Sequence, residues 1–182
     1  MSFRKKIPNY LTAFRIAVLP LLVAAFYLGE GAWGATLSSG IFLVAALTDW
    51  LDGYTARLWA VQSNVGRFLD PIADKLLVAT ALILLVSTGQ AAALPALAIM
   101  CREILVSGLR EFLAEIRVSV PVSNLAKWKT AVQMTAITWL LWGVGAPDWA
   151  PVVIMGQWLL WIAAGLTLIT GYAYLKTGLK HM

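Results

Sequence analysis

The chain has 182 residues, of which 60% are apolar and 13% are charged, and its fourteen Lys and Arg residues outnumber nine Asp and Glu residues. Soluble globular proteins do not have this composition, so we interpret the chain as an integral membrane protein. The excess of positive charge indicates membrane orientation and an anionic substrate, not nucleic acid. Cys101 is the only cysteine and His181 the only histidine, which excludes an intramolecular disulfide and argues against a Cys/His metal site.

Six apolar stretches follow one another along the chain, and each has roughly the 20 residues needed to cross the hydrocarbon core of a membrane. A backbone in lipid must satisfy its hydrogen bonds within its own segment, so these stretches are predicted to be helices. The connections are short. The fold class is therefore predicted as all-α, a single domain over residues 1–182 that forms a six-transmembrane-helix bundle. The predicted spans are roughly 8–28, 35–58, 67–88, 92–114, 125–144 and 150–175.

Basic residues predict the orientation of this bundle. They lie before the first span, at the second and fourth connections and after the last span, whereas the first, third and fifth connections have no Lys or Arg. Cytoplasmic loops of membrane proteins are enriched in these residues. Both termini are therefore predicted to be cytoplasmic, in agreement with an even number of spans.

Four aspartates stand out at the second and third spans: Asp49, Asp52, Asp70 and Asp74. A helix turns by about 100° per residue, so each pair lies on one face of its helix and all four carboxylates can converge between two neighbouring helices. An ionised Asp at bilayer depth costs about 3 kcal/mol even on lenient scales, so a neutralising cation is expected. Oxygen ligands favour Mg²⁺ or Mn²⁺, which commonly bridge carboxylates to phosphates. The alternative is structural pairing of these carboxylates with basic residues nearby, which are Arg57, Arg67 and Lys75.

Small residues accompany the carboxylates. Gly53 and Gly66 remove side chains about one turn from Asp49 and Asp70, and Ala56 keeps the same region open. Arg57 offers several donors to a phosphate at the edge of this region. The pattern indicates a pocket for a diphosphate.

These residues together form the pattern Asp-x2-Asp-Gly-x2-Ala-Arg-x8-Gly-x3-Asp-x3-Asp from Asp49 to Asp74. The pattern resembles the signature of the CDP-alcohol phosphatidyltransferases, with every fixed position present. The resemblance implies a six-helix membrane fold, a homodimer, and two divalent ions at the cytoplasmic end of the helices. It also implies a reaction in which an alcohol attacks the β-phosphorus of a CDP-linked lipid, such as CDP-diacylglycerol, and CMP leaves.

The resemblance also implies roles for individual residues. All four aspartates would be metal ligands, and Asp74 would also be the general base that accepts the proton of the attacking hydroxyl. The nucleotide lipid would be bound near the metal ions and the start of the first helix. The residues implied for that binding are Asn9, Thr12, Asp52, Gly53, Ala56, Arg57 and Gly66.

A second set of charged residues lies on the fourth and fifth spans. Arg102 and Arg110 share one helix face, and Lys127 and Lys129 begin the next helix at the same predicted membrane level. Four cations suit a phosphorylated acceptor better than serine or inositol. The alternative is that Arg102 pairs with an acidic neighbour on its own helix and the lysines serve membrane orientation.

Segments outside the signature favour one acceptor. The stretch Ile7-Pro8-Asn9, the Arg-Glu-Ile motif at Arg102 and the Lys-Trp-Lys-Thr motif at Lys127 resemble the bacterial members of this family that use sn-glycerol 3-phosphate. The resemblance implies attack by the 1-hydroxyl of that acceptor, with its phosphate held by Arg102, Arg110, Lys127 and Lys129. It places the protein in a bacterial inner membrane, with the active site facing the cytoplasm.

Three other functions remain as alternatives. The same chemistry with inositol phosphate or serine would keep the metal site and change only the acceptor. A membrane prenyltransferase also binds a diphosphate through Mg²⁺, but it leaves Gly53, Ala56, Arg57 and Gly66 unexplained. A metal-ion transporter would use intramembrane carboxylates nearer the midplane than these.

Overall fold

The computed structural model describes residues 7–29, 31–59, 64–116, 118, 124–146 and 150–179. Within the helices, side chains are described for Phe14 and from residue 16 onwards, except over 49–71 and at 124. The residues described are helical apart from short connections. The helices are α1 (Ile7–Leu28), α2 (Gly31–Trp59), α3 (Asn64–Ser87), α4 (Ala93–Glu115), α5 (Asn124–Trp142) and α6 (Pro151–Gly178).

The predicted all-α fold and its six helices are confirmed, and their ends differ from the predicted spans by a few residues. Residues at the ends of the helices explain some of these helix boundaries. Pro151 is the first residue of α6, where its missing N–H donor is tolerated. Gly89 after α3 and Gly145 after α5 have φ values of +75° and +81°, a conformation that side chains disfavour.

The six helices pack as a ring in the order α1, α2, α5, α6, α4 and α3, which closes where α3 meets α1. α3 also contacts α2 and α5 across the ring. α4 and α5 are consecutive in the sequence, yet α6 lies between them and packs extensively on both. This order brings the inner sides of α3, α4 and α5 towards one another.

Apolar side chains fill the centre of the bundle. Phe42, Leu85, Ile99 and Leu140 are fully buried, and alanines at other core positions allow the helices to approach closely. Ser39 adds a polar contact by donating a hydrogen bond to the carbonyl oxygen of Thr138, over 3.0 Å, which joins α2 to α5.

The outside of the bundle is also apolar. Leu28 is 82% exposed and Trp33 is 71% exposed, and exposed large apolar residues occur on all six helices. By length and composition, two described segments are able to span a membrane: Gly31–Thr48 within α2, and α6. These features fit a membrane protein, while the predicted count of six spans and the cytoplasmic termini stay predictions.

The contact between α5 and α6 leads to a prediction on stability. A Cβ atom added at Gly156 would lie 2.8 Å from Cγ of the buried Leu140. We expect Gly156→Ala to lower the free energy of unfolding by about 1–3 kcal/mol through overpacking. The control is Gly165→Ala on the same helix, where the new Cβ meets nothing within 4 Å. Thermal unfolding in detergent measures both variants, and equal melting temperatures would contradict the prediction.

Candidate active site

The four aspartates lie on two helices that contact each other. Asp49 and Asp52 are in the second half of α2, and Asp70 and Asp74 are in the first half of α3. This backbone placement agrees with the sequence prediction. The side chains of Asp49, Asp52 and Asp70 lie outside the described ones, so the convergence of all four carboxylates stays a prediction. Asp74 is half-buried.

The residues predicted to bind the nucleotide lipid are distributed over three helices that pack together. Asn9 and Thr12 lie in the first two turns of α1, which contacts both α2 and α3. The others lie on α2 and α3 near the aspartates: Gly53, Ala56, Arg57 and Gly66. The side-chain contacts of all six lie outside the described part, and their roles stay predictions.

A charged cluster joins α4 to α5 through Glu103. Its carboxylate accepts a hydrogen bond from Nη1 of Arg102 over 3.2 Å and another from Nζ of Lys129. The side chains are largely buried, with exposed fractions of 13% for Arg102, 21% for Glu103 and 6% for Lys129. Asp74 on α3 lies close enough to Lys129 to interact with it electrostatically. We call Asp74, Arg102, Glu103 and Lys129 the charged cluster.

The cluster contains two carboxylates and two cations: Glu103 contacts both cations, and Asp74 interacts electrostatically with Lys129. Each buried charge has an opposite charge nearby, as is required where water cannot screen it. The pairing of Arg102 with Glu103 is the contact that the structural alternative predicted. Arg102 and Lys129 each donate to the same carboxylate of Glu103. Other N–H groups of both side chains are not used in these two ion pairs.

The other two predicted acceptor residues lie nearer the solvent. Arg110 is two turns further along α4, about 12 Å from Arg102 along the helix axis. It is exposed, and its guanidinium carbon lies 5.7 Å from the centre of the Tyr174 ring of α6. Lys127 is exposed in the first turn of α5. The structure therefore brings Arg102 and Lys129 together and leaves Arg110 and Lys127 at the edge.

Sequence reasoning missed three polar residues that contact the basic side chains Arg102, Arg110 and Lys75. Thr170 and Tyr174 of α6 contact the two arginines of α4, and Ser107 of α4 accepts a hydrogen bond from Nζ of Lys75. Thr170 and Tyr174 are four residues apart, so they share one face of α6. Their four-residue spacing was the only signal in the sequence that could have identified them. It was not sufficient, because the sequence of an apolar helix does not indicate which of its scattered polar residues face a neighbouring helix.

The described side chains contain no group of three or more His, Cys, Asp or Glu residues that could hold a metal ion. Three of the four predicted carboxylate ligands lie outside those side chains. The finding therefore concerns only the described side chains, and it adds no further metal site among them.

Comparison with known proteins identifies the family of this chain. The profile of the CDP-alcohol phosphatidyltransferase family matches residues 5–169. The chain belongs to the CDP-alcohol phosphatidyltransferase family. It is therefore an enzyme of the transferase class, and the resemblance drawn from the aspartate pattern is confirmed.

Relatives of this phosphatidyltransferase are similar over almost its whole length. A CDP-diacylglycerol–glycerol-3-phosphate 3-phosphatidyltransferase of Rickettsia felis is 45% identical over 181 residues, covering 100% of this chain and 99% of the relative. A protein of the same name from Salmonella choleraesuis is 45% identical over 93% of each chain. A cardiolipin synthase (CMP-forming) of Oryza sativa is 44% identical over 93% of this chain and 56% of that protein.

The charged cluster of this phosphatidyltransferase leads to a prediction. Glu103→Gln keeps the size of the side chain but leaves the partly buried Arg102 and Lys129 without their shared carboxylate. We expect a loss of about 3 kcal/mol in the free energy of unfolding. The control is Glu115→Gln, at the exposed end of α4. Thermal unfolding in detergent compares them, and equal melting temperatures would show that the cluster contributes no stability.

Proposed function

We propose that this phosphatidyltransferase transfers the phosphatidyl group of CDP-diacylglycerol to the 1-hydroxyl of sn-glycerol 3-phosphate. The products are phosphatidylglycerophosphate and CMP, which makes the reaction a step of phospholipid biosynthesis. The observation that carries this proposal is the similarity to relatives named for that reaction, which extends over 93–100% of the chain. It therefore includes the helices that contain the candidate acceptor residues.

A second candidate product is cardiolipin. The rice relative named as a CMP-forming cardiolipin synthase is as similar in identity as the Salmonella protein, although this chain covers little more than half of it. Both reactions release CMP, so the lipid product distinguishes them. We favour the glycerol 3-phosphate reaction because relatives of matching length carry that name.

The proposed site has four carboxylates, on Asp49 and Asp52 of α2 and on Asp70 and Asp74 of α3, and these two helices contact each other. An all-oxygen donor set of this charge fits hard divalent cations, and we propose two Mg²⁺ or Mn²⁺ ions as cofactors. When bound, such ions stabilise the negative charge on the phosphoryl oxygens during displacement.

Asp74 is the proposed general base. As the acceptor oxygen bonds to the β-phosphorus, its proton passes to the Asp74 carboxylate, and the bond to CMP breaks. Asp74 is half-buried, so it is shielded from bulk water yet not sealed from a substrate. Its proximity to Lys129 supports the proposal, because Lys129 belongs to the set of cations expected near the acceptor.

The acceptor phosphate is proposed to bind among Arg102, Lys129, Arg110 and Lys127. A doubly negative phosphate is attracted to cationic side chains, and arginine binds it through paired N–H donors. Arg102 of α4 and Lys129 of α5 both contact Oε1 of Glu103 and are largely buried. Arg110 and Lys127 are exposed and are proposed to guide the acceptor inwards from the solvent.

The proposed setting is a bacterial inner membrane, crossed six times, with both termini and the active site on the cytoplasmic side. The exposed apolar side chains on all six helices support a lipid environment. The distribution of Lys and Arg among the connections supports the orientation. A homodimer is proposed on the family resemblance.

The test is acceptor-dependent release of CMP by the purified protein with CDP-diacylglycerol and Mg²⁺ or Mn²⁺. The acceptors compared are glycerol 3-phosphate, phosphatidylglycerol, inositol phosphate, inositol and serine, and the lipid products are identified by mass. We expect turnover only with glycerol 3-phosphate, phosphatidylglycerophosphate as product, and no turnover after chelation of the metal. Cardiolipin as the product, or turnover with another acceptor, would overturn the proposal.

The role of Asp74 gives a further prediction. Asp74→Asn removes the proton acceptor at nearly constant size, so we expect turnover to fall by about a hundredfold to ten-thousandfold. Stabilisation of the protein by CDP-diacylglycerol in thermal unfolding is expected to persist. Glu115→Gln is the matched control and should keep normal turnover. Near-normal turnover of Asp74→Asn would contradict its role as the base.

A further inference from the structure

The backbone of α6 approaches the side chain of Arg102 closely at Gly171. A Cβ atom built at Gly171 would lie 2.7 Å from Cγ of Arg102, 3.4 Å from its Nε and 3.6 Å from its Cδ. Gly171 is buried, and Nε of Arg102 is buried without a hydrogen-bond partner among the described residues. Cγ is near the base of the side chain, so Arg102 cannot avoid a larger residue by moving only its tip. The path that Arg102 follows is therefore possible only because Gly171 has no side chain.

The residue before Gly171 holds the other end of the same side chain. Thr170 donates its hydroxyl hydrogen to the carbonyl oxygen of Leu166 over 2.8 Å. A lone pair of that hydroxyl then accepts a hydrogen bond from Nη2 of Arg102 over 3.3 Å. Nη1 of Arg102 donates to Glu103 over 3.2 Å, so α6 and α4 together fix both terminal nitrogens.

We propose that Thr170 and Gly171 are positioning residues that orient Arg102, and that α6 thereby sets the affinity for the acceptor phosphate. The inference rests on the proposed function, in which Arg102 binds that phosphate. Neither Thr170 nor Gly171 touches a substrate in this proposal. Both act through the guanidinium group of Arg102.

The physical basis is the flexibility of arginine. A free Arg side chain has many rotamers, and ordering it on binding reduces affinity. Paired N–H donors bind phosphate well only when the guanidinium plane is correctly oriented. A side chain that is already fixed by Gly171, Thr170 and Glu103 loses little entropy when the acceptor binds.

The test compares steady-state kinetics of substitutions on α6. Thr170→Val removes the acceptor for Nη2 at nearly constant shape, Thr170→Ser keeps it, and Gly171→Ala displaces the base of Arg102. We expect Thr170→Val and Gly171→Ala to raise the KM for glycerol 3-phosphate about tenfold, the scale of one hydrogen bond to a charged group. The KM for CDP-diacylglycerol should stay near that of the unchanged protein, and Thr170→Ser should restore the normal value.

Two glycines of α6 supply matched controls. Gly165→Ala adds a methyl group into open space, and Gly156→Ala adds one against Leu140, away from any arginine. We expect Gly165→Ala to leave both KM values unchanged. Gly156→Ala is expected to lower the melting temperature without a selective change in the acceptor KM. The comparison distinguishes the effect of displacing Arg102 from the effect of disturbed helix packing.

The outcomes distinguish this inference from the proposed function. An unchanged protein that does not use glycerol 3-phosphate would overturn both. If the unchanged protein uses it but Thr170→Val behaves like Thr170→Ser, the positioning role is wrong while the proposed function stands. Equal increases in both KM values would also overturn the positioning role. If Gly171→Ala does not fold, the pair of Thr170 variants still decides.

Discussion

The arrangement depends on one constraint, which is that charged side chains inside an apolar helix bundle need opposite charges beside them. Glu103 meets this requirement for Arg102 and Lys129 at once, and Asp74 adds its charge near Lys129. An unpaired charge in such surroundings is strongly unfavourable, so these contacts restrict how α3, α4 and α5 can be placed. The ring order brings their inner sides together even though α6 separates α4 from α5.

α6 has a larger part in this arrangement than its apolar sequence indicates. It packs on α4 and α5, so it forms the wall behind the cations of both helices. Its polar contacts are few and specific: Thr170 meets Arg102, and the ring of Tyr174 lies beside the guanidinium group of Arg110. α6 contributes no charged group to the proposed site, yet it contacts both arginines that are proposed to bind the acceptor phosphate.

The charges along the chain form two sets, which corresponds to a reaction with two substrates. Carboxylates occupy α2 and α3, where the family pattern implies metal ions and the nucleotide lipid. Four cations lie on α4 and α5, where an anionic acceptor is proposed: Arg102, Arg110, Lys127 and Lys129. Asp74 belongs to the first set and lies near Lys129 of the second. The proposed general base therefore lies between the two sets, where attack by the acceptor hydroxyl on the lipid phosphorus would require it.

Much of the fold was predictable because hydrophobic length and short connections leave few alternatives in a chain of this size. The number of helices was correct, and so was the family, because the spacing from Asp49 to Asp74 is a local property of the sequence. The selection of Arg102 and Lys129 as candidate acceptor residues also depended only on local sequence. Helical periodicity gives the face on which each lies, without reference to any other helix.

The tertiary structure decided the partners of those residues. Sequence periodicity does not state that Glu103 is shared by Arg102 and Lys129, because the two cations are on different helices whose ring positions are not adjacent. It also does not state that Gly171 lies against Arg102, since these residues are 69 positions apart in the chain. The sequence by itself determined which helices form and which chemistry they carry, because both depend on near neighbours. Helix packing decided which side chains meet, because contacts between distant segments depend on the shape and charge of the whole bundle.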